Sequence, residues 1–224
     1  MNEKIFIACD TTSLKKVRKI IKETHTNKLK IGYKFGLEFT NSKRGRVFIS
    51  KLRKKIIFID IKLNDIPNTM KSTIKSLKDL KINYLTVHIS SGLQALKEVK
   101  KVSGNIKIAG VTTLTSLDNN NLKEIGYNKS VKNLVIHQSL LAKKANLDAV
   151  VCSAHESEYV KKIFNKEIIT PGIRLNSKSN DQKRIMTPKK AFLEKKSDWL
   201  VIGRSITKGN IKKNLENLIK HLNQ

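Results

Sequence analysis

Short apolar runs alternate with longer segments of helical period from one end of the chain to the other, and few folds accept that alternation. Eight runs read as strands: Lys4–Asp10, Lys28–Tyr33, Lys55–Lys62, Asn83–His88, Ile106–Thr112, Asp148–Cys152, Glu167–Thr170 and Asp198–Ile202. Between and after them lie helical candidates: Ser13–Glu23, Ser42–Lys54, Asn68–Leu80, Gly92–Lys101, Ser116–Ile125 with Val131–Ala145, His155–Phe164, Thr187–Lys195 and Asn210–Leu222. Ser13 caps the first of these, and Thr187-Pro188 opens the seventh. Strand then helix, eight times in 224 residues, predicts an α/β fold, a single (β/α)8 TIM barrel spanning residues 1–224. An open doubly wound sheet needs fewer strands and a Gly-rich first turn, which this chain lacks. With 39% hydrophobic residues the chain can fill one complete core.

A barrel of this kind places its chemistry at the C-terminal ends of its strands, so polar residues there carry functional weight. Asp10 ends the first run, Lys30 lies in the second, Asp60 and Lys62 end the third, and His88 ends the fourth. The fifth leads to Thr115 and Ser116, the seventh to Pro171-Gly172-Ile173-Arg174, and the eighth to Gly203-Arg204. The polar, Gly-free stretch Leu175–Arg184 reads as a mobile loop after the seventh strand.

Charge offers a different answer. Lys and Arg number 46 against 18 Asp and Glu, a formal net charge of +28. The excess is nearly all lysine, spread over every candidate helix, whereas a nucleic-acid binder concentrates Arg and stacking aromatics on one patch. Aromatics are only 5% of the chain, so the charge predicts non-specific adhesion to polyanions and no specific nucleic-acid partner. No apolar run approaches the roughly 18 residues that a membrane span needs. The N-terminus enters an apolar strand at once, without a charged leader, and a cytoplasmic protein is expected. Cys9 and Cys152 each sit in a strand-like run, which predicts two buried thiols and neither a disulfide nor a metal site.

The densest signal is Ile-Asp60-Ile-Lys62-Leu-Asn-Asp65-Ile-Pro-Asn-Thr69. Side chains two apart on a strand share a face, so Asp60 and Lys62 point to the barrel axis while Ile59, Ile61 and Leu63 face the helices. Unit charges at 4 Å interact by roughly 4 kcal/mol at an effective dielectric of about 20, enough for carboxylates to keep a crowded lysine charged and aimed. A buried ion pair could merely hold the strand, but perturbed clusters of this kind concentrate in active sites. His88, alone on an inward face, reads as a satisfied group beside such a site. His25, His137, His155 and His221 read as surface or packing residues.

This stretch resembles the signature of the orotidine 5′-phosphate decarboxylases. The likeness continues through Leu-Lys30-Ile-Gly, Val-His88, Leu-Thr115-Ser116, Val-Val-Cys152-Ser-Ala, Thr-Pro171-Gly-Ile-Arg174, Asp181-Gln182 and Val-Ile-Gly203-Arg204. His155 stands where many relatives have Gln. The resemblance implies loss of CO2 from orotidine 5′-monophosphate to give uridine 5′-monophosphate in pyrimidine biosynthesis, with no cofactor and no metal. It makes Lys62 the cation beside the ring carbanion and its proton donor, with Asp60 near the departing carboxylate. Lys30 and Asp65 complete an alternating Lys–Asp network. It also implies a homodimer in which Asp65 and Thr69 reach into the neighbouring subunit's site. Asp10, Lys30 and Thr69 are expected at the ribose, and Thr115 and Ser116 at the pyrimidine edge. Pro171, Arg174 and Gln182 are expected around the nucleotide, the last two in a closing loop.

Phosphate recognition follows independently from the fold. Barrels bind phosphate between the loops after strands 7 and 8, where Gly203 brings backbone close and Arg204 offers a two-pronged donor. The nearest alternative is a magnesium-dependent sugar-phosphate decarboxylase or hexulose-phosphate synthase of the same suprafamily. Those enzymes carry a carboxylate ligand on the second strand, where Lys30 is expected here, and Mg²⁺ takes oxygen ligands.

Overall fold

The computed structural model describes residues 3–175 and 186–223. Its eight strands are β1 (Lys4–Ala8), β2 (Lys30–Gly36), β3 (Ile56–Leu63), β4 (Tyr84–His88), β5 (Lys107–Val111), β6 (Ala149–Val151), β7 (Glu167–Thr170) and β8 (Trp199–Ile202). They pair in chain order, all parallel, and β8 closes on β1, forming a complete barrel. Helices follow the strands: Leu14–Glu23 after β1, Pro67–Ser76 after β3 and Leu93–Val102 after β4. Ser13 caps the first, its hydroxyl accepting from the Lys16 N–H. Most expected boundaries shift by a residue or more, and two of the shifts matter for the site. The helix anticipated over 42–54 is a shorter one, Gly45–Lys51, preceded by a single turn at Leu37–Thr40. The second strand starts and ends later than 28–33, because Phe35 continues the apolar alternation of Ile31 and Tyr33 as far as Gly36.

Odd and even positions along the strands separate two cores. Ile5, Ile7, Tyr33, Phe35, Ile57, Ile59, Leu85 and Val87 face the helices. Phe6, Phe58, Tyr84 and Trp199 fill the barrel itself. Phe6 stacks on Trp199 with centroids 4.0 Å apart, and Gly32 makes the room: a Cβ there would lie 2.6 Å from the Phe6 ring. Below this aromatic layer Glu167 closes the N-terminal mouth, accepting from Tyr84 Oη at 2.8 Å and pairing with Lys107 at 3.1 Å and Lys4 at 3.6 Å. Above it the inward positions carry smaller residues, Ala8, Val111, Val151 and Val201. The space they leave opens at the C-terminal end of the barrel.

Among the described residues no helix is long and apolar enough to cross a membrane. Cys9 and Cys152 are both buried and not joined in a disulfide, and burial pushes the Cys9 thiol up to about 12.

Candidate active site

That space is a cavity of about 490 Å³ at the C-terminal strand ends. Its apolar floor is Ala8, Phe58, Val111, Val151 and Val201, and four charged side chains stand along one wall: Asp10, Lys34, Asp60 and Lys62. They form an unbroken alternating row. Lys34 Nζ lies 3.0 Å from Asp10 Oδ1 and 3.4 Å from Asp60 Oδ2, and Lys62 Nζ donates to Asp60 Oδ1 at 3.0 Å. A lysine between two carboxylates and a carboxylate between two lysines offset the burial that would otherwise favour the neutral forms of Lys34 and Asp60.

The protonation states follow from that order. Burial pushes the Asp60 carboxyl up, but Lys34 and Lys62 outweigh it and hold the group below the usual carboxylate range. Burial alone would lower Lys34, yet Asp60 and Asp10 overcome it and raise the ammonium above its ordinary value. Both shifts widen the span over which the pair is ionic, and neutral pH lies well inside it. His88 is pulled below the ordinary histidine range by burial and by Lys62, so it is neutral beside the row and does not line the cavity.

β3 departs from regular pleating where the row ends. Its register with β4 shifts between Ile59 and Leu63, and Lys62 takes φ 49°. A non-glycine residue there costs on the order of 1–3 kcal/mol and persists only when its surroundings hold it. The Lys62 N–H leaves the ladder and donates instead to Thr86 Oγ1 at 2.8 Å. Thr86, fully buried on β4, donates its own hydroxyl to Asp60 Oδ1 at 3.1 Å.

Eight of the expected residues meet at this cavity: Asp10, Asp60, Lys62, Thr115, Pro171, Arg174, Gly203 and Arg204. A two-bond bridge fixes the strand-7 exit, with Arg174 N–H donating to Met186 O at 3.0 Å and Met186 N–H to Gly172 O at 3.2 Å. Gly203 and Arg204 open the short helix Arg204–Thr207 directly after β8. A Cβ on Gly203 would stand 3.8 Å from Asp10 Oδ2, so the backbone there faces the ionic row.

Lys30 is a correction. It begins β2, pairs in register with Lys4 and is exposed at the opposite mouth of the barrel. Lys34 holds the place expected for it. The two share a face, but four residues at about 3.3 Å each put them about 13 Å apart along the strand. The readable signal was the alternation Ile31, Tyr33, Phe35 against Gly32 and Lys34, which carries the strand to Gly36. Asp65 and Thr69 also lie off this chain's own cavity, both exposed beyond β3, where Asp65 Oδ1 accepts the Ile66 N–H at 2.7 Å. Ser116 is exposed and does not line the cavity either. Gln182, with most of the loop anticipated over 175–184, falls outside the described residues. Sequence reasoning missed Lys34, Thr86, the lining Thr113 and Leu114, and the apolar floor.

Comparison with known proteins points to one family. The family described as "Orotidine 5'-phosphate decarboxylase / HUMPS family" matches residues 3–216. The chain is similar to the orotidine 5'-phosphate decarboxylase of Wolbachia sp. subsp. Brugia malayi (strain TRS), 40% identical over 222 residues that cover 96% of each protein. It is 44% identical to that of Wolbachia pipientis subsp. Culex pipiens (strain wPip) over 183 residues, 79% of this chain and 80% of the relative. Among solved structures, that of orotidine 5'-phosphate decarboxylase from Lactobacillus acidophilus superposes with a TM-score of 0.84 at 30% identity, covering 99% of this chain and 100% of that one. A match over nearly all of the chain, joined to the charged row at the mouth of a closed barrel, means that this protein belongs to the orotidine 5′-phosphate decarboxylase / HUMPS family.

Proposed function

We infer that this enzyme is a carboxy-lyase that converts orotidine 5′-monophosphate into uridine 5′-monophosphate and CO2 in pyrimidine biosynthesis. The observation that carries the reading is the row Asp10–Lys34–Asp60–Lys62, with both ends opening on a nucleotide-sized cavity. When the carboxylate leaves, the carbon–carbon bond breaks and its electron pair stays on the ring carbon, in an orbital that cannot merge with the ring π system. A fixed ammonium is what such a carbanion needs, both as a counter-charge and as a proton source. Lys62 has that role here. It gives one Nζ–H proton to the carbon and regains one from water. Because Asp60 already holds Lys62, little reorganisation is needed as charge develops, which is where electrostatic catalysis gains most.

Asp10 and Lys34, at the β1–β2 side of the row, suit the ribose hydroxyls, and Thr115 at the β5 exit suits the polar edge of the base. Pro171, Arg174, Gly203 and Arg204, at the exits of β7 and β8, suit the 5′-phosphate. The geometry of Lys34 also favours this chemistry over magnesium-assisted enediolate formation. Its ammonium stands between Asp10 and Asp60, the position where two carboxylates would otherwise gather a divalent cation. Asp65 and Thr69, exposed beside an Ile66 that is 67% exposed, suit a twofold dimer in which each subunit lends them to its partner's site. A charged nucleotide substrate and two cysteines not joined in a disulfide suit the cytoplasm.

The test is ultraviolet loss of orotidine 5′-monophosphate with purified protein in the presence of EDTA. Sustained turnover, not increased by added Mg²⁺, is expected. No loss of substrate would end the reading, and a requirement for metal would move the protein to the sugar-phosphate branch.

A further inference from the structure

We propose that Thr86 is the positioning residue that aims Lys62. It lines no part of the cavity, so whatever it does passes through other groups. Its hydroxyl is used in both directions. The oxygen accepts the backbone N–H of Lys62 at 2.8 Å, and its proton goes to Asp60 Oδ1 at 3.1 Å, the same oxygen that receives the Lys62 ammonium at 3.0 Å. Thr86 thus closes a small ring: Lys62 backbone to Thr86, Thr86 to Asp60, Asp60 to the Lys62 side chain. The ring spans the one place where β3 and β4 slip out of register.

That location matters because Lys62 is held at φ 49°, a conformation that a lysine leaves when nothing opposes it. Regular strand pleating would restore the ladder N–H and swing the side chain along the strand. Thr86, with no solvent exposure and clamped by its own strand, supplies the competing acceptor. An apolar side chain of equal size would leave a partly buried N–H unsatisfied and remove one donor from Asp60. Both losses loosen the ammonium at the only point where it must meet a reacting carbon, and angular errors of this kind reduce turnover more than affinity.

The inference rests on the decarboxylase reading, so the experiment begins with the parent enzyme. Turnover of orotidine 5′-monophosphate and binding of uridine 5′-monophosphate are then compared in Thr86→Val and Thr86→Ser. The expected result is a kcat roughly ten- to a hundredfold lower for Val, the scale of a lost hydrogen bond to a charged group, with product affinity within about twofold of the parent. Serine, which keeps the hydroxyl, should restore kcat to within about threefold. If Val does not fold, Ser is compared with Thr86→Ala, a pair that lacks the methyl in common and differs only in the hydroxyl. Equal kcat for the hydroxyl-bearing and hydroxyl-free variants, or a loss shared equally by kcat and product affinity, would overturn the role of Thr86. An inactive parent would overturn the decarboxylase reading along with it.

Discussion

Two lysines separated by one helical turn's worth of sequence have opposite fates here because a strand has two ends. Lys30 and Lys34 share a face of β2, yet only Lys34 reaches the carboxylates; Lys30 sits in solvent at the far mouth. The distinction is measurable. Lys34→Ala should leave Asp10 without its ion partner and Asp60 with Lys62 alone, and reduce kcat/KM by about a hundredfold or more, the scale of losing one fixed donor in a charged site. Lys30→Ala should remain within about twofold of the parent. Lys62→Ala should fold, bind nucleotide and lose several orders of magnitude in turnover, because neither of its roles has a substitute. Steady-state kinetics on the three purified variants decides the matter, and a Lys30→Ala enzyme as damaged as Lys34→Ala would contradict the geometry.

At the scale of elements, the site exists because the barrel is filled unevenly. Large aromatics pack its middle, Glu167 and two lysines close its base, and small residues at the upper inward positions leave the cavity. Gly32 is what lets the aromatic layer close, since a methyl there would come within 2.6 Å of Phe6 and 3.2 Å of Ile56. Gly32→Ala should therefore destabilise by about 1–3 kcal/mol through overpacking. At about 2–4 °C per kcal/mol for a chain of this size, thermal unfolding should show a loss of several degrees, with kcat little changed. A variant as stable as the parent would mean that Phe6 repacks without cost. The slip between β3 and β4 works the other way: it trades local stability for the aim of Lys62.

For the whole molecule, the proposed twofold dimer assigns the exposed Asp65 to the partner's site. Lys62→Ala and Asp65→Ala should each be nearly inactive as separate dimers. Unfolded and refolded together in equal amounts, random pairing makes about half the dimers mixed, each with one doubly damaged and one intact site. Roughly a quarter of parental activity should return, as an isologous interface requires. A mixture no more active than its components, with subunit exchange confirmed, would place Asp65 in its own chain's site. The charge of +28 belongs to this scale as well: it is distributed over the helices as solvated lysine, while the site is built from locally balanced ions.

Much of this was legible in the residues because it depends on periodicity. Apolar runs two residues in step and helices 3.6 residues in step are local properties, and eight repetitions leave a closed parallel barrel as the economical way to bury them. Asp60, Lys62, Gly203 and Arg204 could be found because each ends a strand whose end was visible. Register was not local. How far β2 runs before it stops, and therefore which of its lysines arrives at the mouth, depends on pairing with β1 and β3. The left-handed turn of Lys62 and its anchor on Thr86 depend on where two strands 24 residues apart fall out of step. Pattern determined the barrel and the strand ends that bear the chemistry. Packing across strands decided which ions meet there, because where a strand stops and which residues it pairs with are set by its neighbours, and a one-residue slip would exchange its two buried faces.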